Sequence, residues 1–160
     1  MLNYRTKLGT HNKLELQNLR DGSVLAFDFG MRRIGVAVGE LSMKMAHPLA
    51  TISAENNLQR FTEITALVDE WKPVLLVVGL PAHEDGAEHE LGPACRRFAR
   101  RLEGRFKLDA ILVNEQFTSA SASSALHESG VTGRKQKPLL DQMAAQQILQ
   151  SYFNELARNT

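Results

Sequence analysis

Apolar and polar positions alternate along this chain in short blocks. Val24–Asp28 (VLAFD) is an apolar run that ends in a carboxylate, and Ile34–Val38 (IGVAV) is a second run. Gly30–Arg33 lie between them, so the pattern predicts a β-hairpin. Ala46–Ile52 (AHPLATI) predicts a third strand. Pro48 places it at a sheet edge, because proline has no N–H to give to a ladder. Beyond Ser53–Asn56, the residues Leu58, Phe61, Ile64, Val68 and Trp71 recur every three or four positions, the spacing of one helical face, and Pro73 ends it. Val74–Val78 (VLLVV) is continuously apolar, as expected of a central parallel strand covered on both faces. Gly79-Leu80-Pro81 stops it. Leu91, Cys95, Phe98 and Leu102 mark a second helix, and Ala110–Val113 (AILV) a further buried strand. Thr118 is a suitable N-cap for a short helix closed by Gly130. Pro138 suits the first position of a last helix, whose buried face is Ala144, Ala145, Ile148, Leu149, Tyr152 and Leu156.

The order β-β-β-α-β-α-β-α-α gives an α/β fold. Three antiparallel strands lead into two parallel ones, forming a mixed five-stranded sheet with helices on its faces. Residues 23–157 form one domain. Residues 1–22 are polar and read as a flexible arm, closed by the turn signal Asp21-Gly22. With 160 residues, 43% of them hydrophobic, the chain can bury a proper core. A net charge of +1 supplies no global field for nucleic acid, so any phosphate-binding surface must be local. The single Cys95 excludes a disulfide framework and a Cys-based zinc site, and reads as a small buried hydrophobe. The five histidines show no close metal spacing, and most read as surface or loop residues. No apolar run approaches the roughly 20 residues that cross a bilayer, and the N-terminus lacks the apolar core of a signal peptide. The expectation is a cytoplasmic protein.

The candidate chemistry lies in three acids. Asp28 ends the first strand, Glu115 ends the last, and Asp141 sits in the first turn of the last helix. The proposed fold puts all three at one edge of the sheet. Converging carboxylates repel unless a proton or cation sits between them. Magnesium favours such oxygen ligands, and a pair of ions about 4 Å apart can promote phosphodiester cleavage. Arg32, Arg33, Arg134, Lys135 and Lys137 flank the acids and are suited to holding phosphates. Each acid also has a plainer role. Asp28 can cap its own turn, Glu115 can face solvent, and Asp141 can favour the positive end of its helix by about 0.3–1 kcal/mol. Gly30 suits a left-handed turn or a close backbone approach, and Gly35 leaves room beside the acid. The polar segment Ala82–Glu90 follows a central strand, where open α/β sheets bind ligands. Arg96, Arg97, Arg100, Arg101 and Arg105 line one side of the second helix, as a solvated face or a stripe for a nucleic-acid backbone.

DFGMRRIGVAVGE, VVGLP, the Asn-Glu-Gln after AILV, and LLDQMAAQQILQSY together resemble the YqgF family over about residues 23 to 153. Its members have an RNase H fold, are similar to Holliday-junction resolvases, and are regarded as nucleases processing the 5′ end of pre-16S rRNA. The resemblance implies that Asp28, Glu115 and Asp141 are the acids of a magnesium-dependent nuclease, with manganese as the other candidate ion. It implies structured RNA, branched DNA or ribosomal particles as partners, no membrane, and a monomer or homodimer. The family usually has Asp-Glu-Arg where this chain has Asn114-Glu115-Gln116, so one acid and one cation are missing. In the wider fold a second acid often comes from the preceding strand, where Gly79 stands here. Glu115 must then reach across, or Glu84 or Asp85 substitute. Three further readings remain: a resolvase acting on branched DNA, an RNA-binding ribosome assembly factor that does not cut, and an ATPase of the actin and sugar-kinase type. The last closes two such domains over its nucleotide.

Overall fold

The computed structural model describes residues 21–53, 55–81, 85, 87, 89–115 and 136–159. The arm expected over residues 1–22 falls almost wholly outside them, as does the helix expected between Thr118 and Gly130. Five strands form one sheet: β1 (Ser23–Asp28), β2 (Arg33–Glu40), β3 (Met45–Ser53), β4 (Leu75–Leu80) and β5 (Ala110–Asn114). Their order across the sheet is β3-β2-β1-β4-β5. The first three pair antiparallel, while β4 joins β1 and β5 joins β4 in parallel. The helices are α1 (Asn57–Trp71), α2 (Gly92–Phe106) and α3 (Gln136–Arg158). This is the mixed sheet that the strand pattern predicts, with Pro48 on the edge strand as expected.

Side chains alternate between the two faces of a strand, and that parity sorts the core. Leu25, Phe27, Ile34, Val36, Leu76, Val78 and Leu112 point to one face, where they meet Phe61 and Ile64 of α1 and Phe98 and Leu102 of α2. Val24, Ala26, Ala37, Leu75, Val77 and Ile111 point to the other and meet α3 through Ala145, Ile148, Leu149 and Phe153. The α3 face is lined with small residues, and α3 sits deep because of them. A Cβ on Gly35 would lie 1.9 Å from the Asp141 carbonyl oxygen. One on Gly39 would lie 2.6 Å from the Phe153 ring, and one on Gly79 would lie 2.3 Å from Ile148. The room that Gly35 leaves is therefore taken by the backbone of the last helix.

Glutamines set the lengthwise position of α3. Gln150 accepts from Ala46 N at 3.0 Å and donates to Lys44 O at 3.1 Å. Gln146 donates to Ala46 O, and Gln142 donates to the Thr51 hydroxyl. These side chains, four residues apart, share one helical face. Gln146 and Gln150 thereby satisfy the Ala46 carbonyl and N–H near the start of the edge strand β3.

Three local expectations are corrected. The last helix already includes Gln136 and Lys137, so Pro138 is not its first position. Proline is tolerated within this first turn because the first N–H groups of a helix lack an internal partner anyway. Asp141 thus lies beyond the first turn, where the helix dipole has little hold on it. Leu58 is 75% exposed rather than buried, and Arg60 takes its place at 7%. At about 100° per residue, Arg60 falls nearer the axis of the stripe formed by Phe61, Ile64, Val68 and Trp71 than Leu58 does. Gly30 needs no left-handed backbone, since Gly22 is the sole described glycine with positive φ. What Gly30 supplies is closeness: a Cβ there would meet the Arg33 carbonyl at 2.6 Å.

Candidate active site

Asp28 closes β1 on the α3 face, as the parity of Val24 and Ala26 requires. Its antiparallel partner is Gly35, and it stands one step beyond the Phe27–Val78 pair, level with Gly79. Glu115 follows β5, held there by its N–H on the Leu80 carbonyl at 3.0 Å. Gly79 pairs with Val113, so Glu115 lies further out along the sheet edge. Its side chain folds back over Gly79, with Cγ 3.0 Å from where a Cβ would stand. A side chain on β4 would occupy that space. Glycine at 79 is what lets the acid from β5 reach across to Asp28.

The two carboxyl groups are hydrogen-bonded. Burial, with the adjacent Glu115 charge and this hydrogen bond, pushes the Asp28 carboxyl up to about 8; the charge of Asp141 adds to the shift. Burial also raises Glu115, while the bond from Asp28 and the nearby His89 work in the opposite direction. Burial raises both acids, so one proton is held between Asp28 and Glu115 above the usual carboxylate range. The pair titrates as a unit.

Asp141 comes to the same edge on the α3 turn seated over Gly35. Its Oδ2 accepts from Arg33 Nε at 2.6 Å, across 108 residues of sequence. Among the described residues, no three acidic, histidine or cysteine side chains are gathered closely enough to hold a metal ion together. The expected trio is thus a proton-sharing pair with a third acid near it, neutralised by arginine. The donor set still suits a hard divalent ion. Two carboxylates that cannot both ionise in isolation can do so when a cation takes the proton's place.

The expected phosphate-holding residues separate. Arg32 is exposed on the β1–β2 turn, and Lys137 is exposed near the start of α3. Arg33 is a third exposed and engaged with Asp141. Arg134 and Lys135 lie outside the described residues, as does Glu84, while Asp85 accepts from Ala87 N within its own turn. Asn114, in place of the expected acid, is exposed and outside the pair. Two residues near the site are not marked by any sequence motif. His89, in the segment after β4, acts electrostatically on Glu115, and its Nδ1 accepts from Leu91 N at 3.1 Å. Its place between a central parallel strand and the following helix is the one available signal. Arg60 donates to the Met31 carbonyl and packs 5.9 Å from the centre of the Phe29 ring, bracing the turn that follows Asp28. Nothing in the sequence marks it except its phase on α1.

Three antiparallel strands, two parallel strands and an acid-bearing last helix, with carboxylates meeting at the ends of β1 and β5, define an RNase H-like nuclease fold. The fowlpox virus Holliday junction resolvase has the same fold, with a TM-score of 0.53 at 10% identity, covering 83% of this chain and 99% of that one. The chain belongs to the RuvX family, described as Holliday junction resolvase, whose model matches residues 22–155. Its curated relatives include proteins named "Putative pre-16S rRNA nuclease". The one from Nitrosomonas europaea is 56% identical over 140 residues, covering 88% of this chain and 95% of that protein. The one from Methylobacillus flagellatus is 60% identical over 136 residues, covering 85% and 93%. The family resemblance in the hairpin and VVGLP motifs is borne out.

Proposed function

We propose that this protein is a metal-dependent nuclease that hydrolyses phosphodiester bonds at the 5′ end of pre-16S rRNA. The observation that carries the reading is the buried Asp28–Glu115 pair at the strand ends. Burying two acids against each other opposes folding, so the arrangement points to a ligand. Relatives at 56–60% identity whose names carry that activity supply the substrate. Asp28 and Glu115 hold magnesium, or manganese, and Asp141 completes the acidic edge. The ion, when bound, supplies positive charge that helps water attack phosphorus and stabilises the departing oxygen. Arg33 positions Asp141. Arg32 and Lys137 hold the RNA phosphates, with Arg134 and Lys135 continuing the cationic segment in sequence. Work on ribosomal RNA precursors belongs in the cytoplasm, on pre-ribosomal particles, with the protein acting as a monomer or homodimer.

The family description favours a second substrate, branched DNA. One experiment separates the readings. Purified protein and Asp28→Asn are incubated with magnesium and either a pre-16S 5′ precursor fragment or a four-way DNA junction. The proposal expects the RNA to be cut, with Asp28→Asn at least about a thousandfold slower, the equivalent of roughly 4 kcal/mol. Cutting of the junction alone moves the substrate to DNA. Tight RNA binding without cutting makes the protein an assembly factor. Equal cutting by both forms removes Asp28 from the chemistry.

A further inference from the structure

The outer side of α2 is not needed by the site described above, yet its composition is one-sided. Arg97, Arg100, Arg101 and Arg105 are arrayed along it, all exposed to solvent. None of the four arginines has a carboxylate partner among the described residues. Glu103 is partly buried and accepts from Ala110 N at 3.2 Å, at the start of β5. Arg97 and Arg101, and Arg101 and Arg105, are four residues apart, so like charges stack and repel. Gly104 stands in the last turn with nothing within 4 Å of a would-be Cβ. Glycine weakens a helix relative to alanine, and no packing inside the chain requires it here. Arg105 suits the helix C-terminus, but among the described residues nothing engages Arg97, Arg100 or Arg101 or calls for Gly104.

Between the end of α2 and the start of α1 lies a groove of about 350 Å³, lined by Asn57, Leu58, Phe61, Arg101, Gly104 and Arg105. Arg105 covers the Phe61 ring at 5.4 Å, and Leu58 is left open to solvent. The groove lies on the sheet face opposite α3, and its α1 side is linked to the active-site edge through the turn after Asp28. One residue before Phe61, Arg60 reaches the Met31 carbonyl in the turn that carries Arg32. Phe29, in the same turn, packs against Phe98 of α2 with ring centres 5.0 Å apart.

We propose that the α2 arginines and this groove are a second backbone-binding track, which holds the RNA strand away from the cutting site and feeds it past Arg32 to Asp28. Arginine is suited to phosphate oxygens through its planar fork of donors. The open space at Gly104 lets a sugar–phosphate chain lie against the helix backbone. The apolar Leu58 gives an unstacked base a surface to rest on. The track rests on the nuclease reading above, and it adds affinity and register without touching the reacting atoms.

The test measures binding in an Asp28→Asn background, so that cleavage does not intervene. The probe is a fluorescent RNA hairpin with a long single-stranded tail, titrated over a range of salt concentrations. Arg97→Gln, Arg100→Gln and Arg101→Gln are combined in one variant, since glutamine keeps the helix. Each arginine–phosphate pairing removed from a single strand lowers the slope of log affinity against log salt by about 0.7, so the slope falls by roughly 2. Affinity at low salt falls roughly tenfold or more. Gly104→Glu, placed where nothing obstructs it, also weakens binding, while its melting temperature stays at or above that of the background protein. Binding and slope unchanged in both variants would overturn the track and leave the nuclease reading standing. No RNA binding by the background protein at any salt would overturn both.

Discussion

The two ends of β1 obey opposite rules. At Ser23 the hydroxyl donates to the Trp71 carbonyl at 2.6 Å, the Ser23 carbonyl accepts from Val74 N at 2.9 Å, and the residue is 4% exposed. The polar groups named there are partnered by the protein's own fold. At the far end of the same strand, Asp28 meets a second acid, feels a third, and keeps its proton far above the usual carboxylate range. One end is built for stability and the other is held in spite of it. A strand that serves only the core has no reason to end in this way.

The contrast can be broken in order of effect. Asp28→Asn should cost about a thousandfold in cleavage while the protein stays folded, because the amide can still donate to Glu115. In metal-free buffer near pH 8 its melting temperature should exceed that of the unmodified protein; a lower one would mean that the acid supports the fold. Gly35→Ala presses a methyl group into the Asp141 carbonyl and should cost about 3 kcal/mol, read by denaturant unfolding. An unchanged midpoint would show that α3 is not wedged onto β2 there.

The pH dependence sharpens the comparison. Between the ordinary carboxylate range and about 8, folded Asp28 holds a proton that the unfolded chain has released. Metal-free stability should therefore fall as pH rises through that window, by at most about 1.4 kcal/mol per unit for one proton, and level off above it. Saturating magnesium should flatten the profile by raising stability most at the alkaline end, as a ligand that competes with the proton must. At the other end of the strand, Ser23→Ala should cost about 1 kcal/mol at every pH and leave cleavage unchanged, as loss of one hydrogen bond predicts. A cleavage defect in Ser23→Ala would erase the distinction between the ends.

Much of this is legible in the chain. The strands declare themselves because β-branched runs in this fold are buried on both faces, and Pro48 marks the edge. Asp28 and Glu115 meet because both follow strands that run the same way, which the β-α-β order dictates. The means of meeting is not legible. Glu115 reaches Asp28 across a missing side chain at Gly79, a relation between three strands that no local spacing encodes. The Arg33–Asp141 pair joins residues 108 positions apart and depends on how deeply α3 sits over Gly35. Leu58 is exposed where burial is expected, and Arg60 is buried, because phase on α1, not hydrophobicity, decides which of them faces the core. The buried arginine is tolerated because it has the Met31 carbonyl and the Phe29 ring to rest on.

The nuclease reading proposed above requires that a divalent cation displace the proton held between Asp28 and Glu115, and on that exchange it stands or falls. The most direct measurement is isotope-edited NMR of the aspartate carboxyl carbons across pH, with Asp28 assigned by its disappearance in Asp28→Asn. Without metal, Asp28 should titrate near 8, and with saturating magnesium its transition should move well into the acid range. A metal-free Asp28 that titrates like an exposed carboxylate, or a transition that magnesium does not move, would contradict the account.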